Sequence, residues 1–194
     1  MGGVSAVLSA LFGVLSLFFY LIVVGGDRLS EAATSATFFL PSGAQLLAML
    51  LLAVGLVALY VCQAEAFGAL GLVGFFLALV GTVMVAGALW SQVFVVPRLA
   101  EAAPEVVNSG TGSVLAGFLL SFLLFGVGWV VFGAATLRAR VFPRWAVVLL
   151  IVGAVLAILP LPSRAIVLQV AAACLGYTLL TGRGATDGRS SWAN

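Results

Sequence analysis

The chain has 194 residues, 64% hydrophobic and 7% charged, with a net charge of +2 and no histidine. A mean hydropathy of +1.31 excludes an ordinary soluble domain of this length. The missing histidine removes the usual axial haem ligand, the commonest imidazole metal ligand and the base of most Ser or Cys nucleophile systems.

Six apolar runs, at residues 4–25, 44–62, 66–90, 113–137, 146–160 and 165–180, contain no Asp, Glu, Arg, Lys or His. A spanning helix needs about 20 apolar residues, and the first four runs meet that length. The expected fold is therefore all-α: a polytopic integral membrane helical bundle of about six transmembrane helices arranged as three hairpins, with short interfacial helices in two long extracytoplasmic loops. Residues 1–181 form its single transmembrane domain. The first run is read as a mature span, because Met1-Gly2-Gly3-Val4-Ser5 lacks the basic start of a signal peptide.

Between the first and second runs stands Arg28-Leu29-Ser30-Glu31-Ala32-Ala33, and between the third and fourth stands the near-copy Arg98-Leu99-Ala100-Glu101-Ala102-Ala103. Ser42-Gly43 and Ser109-Gly110 precede the following spans, and Gly55 and Gly126 match loosely. The pattern suggests a parallel repeat of residues 1–65 and 66–140. On a helix, Arg28, Glu31 and Ser35 share one face, as do Arg98, Glu101 and Glu105, opposite apolar faces that include Ala32, Ala33, Leu99, Ala102, Ala103 and Val106. These segments read as interfacial helices, and Arg28, Glu31, Arg98 and Glu101 as candidate docking-loop residues. Pro97 suits the first turn of the second helix, and Pro104 should end or kink it.

Gln63-Ala64-Glu65 reads as a very short connection between the second and third runs. In the third run, Gly74, Ala78, Thr82 and Ala86 recur at i+4 and predict a small-residue packing seam, widened by Gly68, Gly71 and Gly81. Ser5, Ser9 and Gly13 in the first run and Gly117 and Ser121 in the fourth are candidate counterparts. Trp129 lies inside the fourth run, so its indole N–H requires a partner, expected to be a neighbouring carbonyl. Trp90, Tyr60, Trp145 and Tyr177 fall near predicted helix ends, where amphipathic rings favour the headgroup level.

The segment Leu159-Pro160-Leu161-Pro162-Ser163-Arg164 predicts a tight hairpin between the two shorter runs. Gln169, just beyond it, is the most polar side chain expected to be immersed, and its amide needs a partner in the bundle. Residues 182–194 form a polar tail, with Trp192 its one large apolar residue. Arg138, Arg140, Arg144, Arg183 and Arg189 fall on one side of the bundle and Arg28, Arg98 and Arg164 on the other, so both termini are expected to be cytoplasmic.

Little conventional chemistry remains for such a chain. Asp27 and Asp187 both lie outside the apolar runs, and Cys62 and Cys174, without C-x-x-C spacing, read as free buried packing thiols. Glu65 reads as a helix-end charge. No catalytic residue, metal ligand or phosphate loop is expected, and the modest net charge gives no reason to expect nucleic acid. The leading expectation is a non-enzymatic accessory or scaffolding subunit that packs within a larger membrane complex. It requires no cofactor, although its apolar grooves suit lipid or carotenoid. The alternative is an uncoupled channel or carrier for a small neutral or apolar solute. A surface enzyme using Glu31, Arg28, Glu101 and Arg98 is a more distant reading. Abundant Ala, Val, Leu and Gly without lysine resembles polytopic proteins of GC-rich bacteria, which suggests a bacterial inner membrane.

Overall fold

The computed structural model describes residues 2–23, 29–109, 112–159 and 165–181, and every regular element among them is helical. Helix α1 spans Gly2–Val23, followed by the short α2 at Leu29–Thr34 and a 3₁₀ turn at Ala36–Phe38. Helical chain then continues as α3 over Phe39–Phe94. Short helices α4 (Val96–Ala102) and α5 (Pro104–Ser109) lead into α6 (Gly112–Ala139), α7 (Arg144–Ile158) and α8 (Ile166–Thr181). Three of these helices, α1, α3 and α6, are long and apolar enough to cross a membrane, as expected of a helical membrane protein.

α3 is not one rod. Its 56 residues would extend about 84 Å at the α-helical rise. Tyr60 and Phe75 would stand about 22 Å apart along such a rod, yet their rings stack with centroids 4.3 Å apart. The chain doubles back at Gly68, whose φ of 57° and ψ of −161° fall in a region open essentially to glycine alone. Residues 39–67 form a first limb and 69–94 a second. The turn thus lies beyond the expected connection at Gln63-Ala64-Glu65, which stays helical. Polarity marked the neighbourhood of the reversal, and the one backbone-permissive residue set its position.

The helices close into a ring. α1 packs on α3 and α8, α3 on α6, α6 on α7, and α7 on α8. The core is built from Leu52, Leu56, Phe125, Trp129, Phe132, Leu150 and Leu168, all fully buried. Glycines permit the closest approaches: a Cβ at Gly81 would collide with the backbone of Phe125, and one at Gly128 with that of Ala78. In lipid such contact replaces the hydrophobic drive that joins helices in water. α1 and α8 run antiparallel, with Gly3 beside Gly176 and Gly13 beside Gln169, so Gly2 and Thr181 lie at one end of the bundle. α2, α4 and α5 pack together at the other, the capped end.

Candidate functional site

Two constellations, a helix seam and a cap, hold most of the residues singled out in the sequence, and Gln169 lies in a separate buried polar group. The first is the helix seam. Gly74, Ala78, Thr82 and Ala86 are all buried, and Gly74 and Ala78 abut the backbone of α6. Thr82 donates from Oγ1 to the Ala78 carbonyl at 2.6 Å and accepts the indole N–H of Trp129 at 3.0 Å. The Trp129 partner is therefore a hydroxyl where a carbonyl was expected, because Thr82 faces α6 across the seam. Gly68 takes no part in the seam, being the chain reversal, and Gly117 is exposed on α6.

Elsewhere in the bundle lies a group of polar atoms on α1 and α8. Gln169 is completely buried, with its amide against Gly13, where a Cβ would come within 2.8 Å of the side-chain Cδ. Neither the Oε1 nor the Nε2 of Gln169 has a hydrogen-bond partner, and the same is true of the buried Ser9 Oγ one helical turn from Gly13. Desolvating an amide without a partner costs about 1–3 kcal/mol by mutational measures. By contrast, Ser16 donates to the Pro41 carbonyl at 2.8 Å, and Gln63 donates from Nε2 to Leu59 O at 2.9 Å while its Oε1 has no partner. Gln169 was legible as an immersed amide. That Gly13 is its neighbour was not, since nothing in the sequence says that α8 lies against α1.

The second constellation is the cap. The two repeated connections fold against each other on a small core of Ala32, Ala33, Phe38 and Ala100, with Val96 and Val107 at its edge. Ser30 and Asn108 join them twice: the Ser30 N–H donates to Asn108 Oδ1 at 3.2 Å, and Asn108 Nδ2 donates to Ser30 Oγ at 2.9 Å. Pro97 sits in the first turn of α4, and the break at Ala103 (φ −151°, ψ 69°) precedes Pro104, which starts α5. Glu31, Glu101 and Glu105 are exposed, and Arg98, 85% exposed, pairs with Glu101 at 2.9 Å. Arg28 lies outside the described residues, as do residues 160–164 of the expected hairpin and the 182–194 tail. The expected apolar faces hold only in part: Ala32 and Ala33 are buried, but Leu99 and Ala103 are half-buried, Ala102 and Val106 are exposed, and the buried residue of α4 is Ala100, outside the expected face. Six- and seven-residue helices offer too few positions for a full apolar stripe.

Cys62 and Cys174 correct the sequence reading, for neither is buried. Cys174 is half-buried, and Cys62 is exposed at the edge of an apolar groove shared with Gly2, Val54, Val57, Ala58 and Val61. The outward register of the first α3 limb places Cys62 one turn beyond Ala58. Among the described residues, no group of three or more His, Cys, Asp or Glu is placed to hold a metal ion. Comparison with protein-family profiles, curated proteins and solved structures finds no match to this chain.

Proposed function

We propose that this chain is a non-enzymatic multi-pass membrane protein, seated in a bacterial inner membrane, that serves as an accessory or scaffolding subunit of a larger membrane complex. The cap carries the reading. Two connections far apart in sequence share an apolar core and a reciprocal Ser30–Asn108 pair, so their outward residues Glu31, Arg98, Glu101 and Glu105 stand on a fixed support. A pre-ordered extramembrane surface suits recognition of another protein, because little ordering entropy is lost on docking. The bundle below supports the same reading. Its outer faces are lined by residues such as Val57, Val80, Val83 and Val152, which suit lipid or neighbouring helices.

In this reading the six apolar helices form three membrane hairpins. Arg138, Arg140 and Arg144 cluster at the turn between α6 and α7, at the same end of the bundle as Gly2 and Thr181, which favours a cytoplasmic position for both termini. A second reading, an uncoupled carrier for a small neutral solute, draws on the unpartnered Ser9 and Gln169 atoms.

Purification from native membranes of the parent chain and of a Glu31→Ala, Arg98→Ala, Glu101→Ala triple variant separates the two readings. The subunit reading expects companion chains at fixed stoichiometry with the parent and their loss from an equally stable variant. A parent that travels alone and conducts a neutral solute in liposomes would support the carrier instead.

A further inference from the structure

Three arginines stand at the turn between α6 and α7 without an acidic partner among the described residues. Arg138 lies in the last turn of α6, Arg140 follows that helix, and Arg144 opens α7; all three are exposed. Arg98–Glu101, the ion pair found among the described residues, is at the capped end, and Glu65, near the chain reversal of α3, pairs with none of the three. α6 and α7 pack side by side, with axes about 8–10 Å apart, so the three guanidinium groups share one small surface and repel one another. An anion placed among them relieves that repulsion and accepts their forked N–H donors.

The turn is held in place on both sides of the charge. Phe142 is buried in the main core, and Pro143, with φ −56°, precedes the first turn of α7. Arg140 has φ 57° and is the one non-glycine residue with positive φ among those described; its N–H donates to the Thr136 carbonyl at 3.3 Å. Glycine is the usual residue where a helix ends this way, and a side chain there carries strain. Sorting of membrane orientation by positive charge does not require that strain, because an arginine at a neighbouring exposed position serves it equally.

The same two helices are apolar on their outward faces. Arg138 shares the outward stripe of α6 with Val127, and Arg144 that of α7 with Val148 and Val152, and all three valines are exposed. Gly153 of α7 faces Leu168 of α8, and antiparallel counting from that contact sets Tyr177 level with Arg144. Tyr177 and Trp145 are both exposed there, as rings at headgroup level are. The arginines thus stand at headgroup height, with stiff valine side chains extending from them toward the hydrocarbon. We propose that the α6–α7 turn binds an anionic phospholipid, with its phosphate held by Arg138, Arg140 and Arg144 and its acyl chains laid along Val127, Val148 and Val152. The site rests on the multi-pass membrane reading above.

Thermal melts of the full-length protein in neutral detergent test the site. Added phosphatidylglycerol should raise the melting temperature by several degrees, and phosphatidylcholine by far less. An Arg138→Gln, Arg144→Gln variant should lose most of that difference. Arg140→Gly separates binding from folding, because glycine adopts φ 57° without strain while removing one guanidinium. It should melt at or above the parent in phosphatidylcholine and still gain less from phosphatidylglycerol. Equal shifts from the two lipids in the parent, or an undiminished phosphatidylglycerol shift in both variants, would overturn the site. Inorganic phosphate that reproduces the full shift would overturn the lipid as its occupant and assign the arginines to a free anion. Flotation of the reconstituted parent with phosphatidylcholine vesicles after alkaline washing checks the membrane reading separately. A chain that washes off those vesicles would overturn that reading, whatever the melts show.

Discussion

At the scale of single residues, the bundle is governed by where side chains are missing. Gly13 leaves the space against which the Gln169 amide rests, so Gly13→Ala should destabilise the protein by roughly 1–3 kcal/mol through overpacking. A second substitution, Gln169→Ala, should recover part of that loss, and thermal melts of the two single variants and the double variant in detergent measure the coupling. The amide itself makes a sharper forecast. Because both of its polar atoms lack partners, Gln169→Met should leave the melting temperature unchanged or raise it. A clear fall in melting temperature would mean that the amide is bonded in the membrane-embedded protein.

These examples also show what could be read from the residues. The seam of Gly74, Ala78, Thr82 and Ala86 follows from i+4 spacing alone, since small side chains in lipid have few other uses. Its partner Gly128 does not follow, because helices that are apolar all round give no polarity contrast to say which face meets which. The burial of Gln169 was legible from its surroundings, while its contact with Gly13 depends on ring closure between the first and last helices.

At the scale of elements, the decisive features are reversals. Gly68 holds a conformation essentially reserved for glycine, so Gly68→Val should cost about 1–3 kcal/mol and loosen the two limbs of α3, read as lost Tyr60–Phe75 proximity or a lowered melting temperature. The sequence pointed to a connection at Gln63-Ala64-Glu65 because polar residues usually leave the hydrocarbon first. The helix nevertheless continues, since Glu65 is exposed at the helix end and nothing there breaks the hydrogen-bond ladder before Gly68. The cap makes a separate forecast. Asn108→Ala removes both bonds to Ser30, and limited proteolysis should then cut within residues 96–109 faster than in the parent, with the bundle melt little changed. The cap was half legible: the repeated Arg-Leu-x-Glu-Ala-Ala segments announced a short helix in each connection, but contacts across 78 residues of separation could not be inferred from either copy.

For the whole molecule, apolar helices whose few charges (Glu65, Arg138 and Arg144) stand near helix ends, together with glycine-backed contacts, give a bundle suited to lipid, crowned by an ordered polar surface. That division of labour is the physical basis of the subunit reading. It was legible in outline, since composition fixed the membrane class and the absence of intramembrane charge narrowed the chemistry. The fixed cap surface was not, because it arises only when two distant connections meet. Gentle solubilisation of native membranes, followed by native-size separation and identification of co-migrating chains, tests this claim most directly. The account predicts a defined complex larger than the 19.9 kDa chain, with partners at constant stoichiometry. A chain that migrates alone, as a monomer or homo-oligomer, would contradict it.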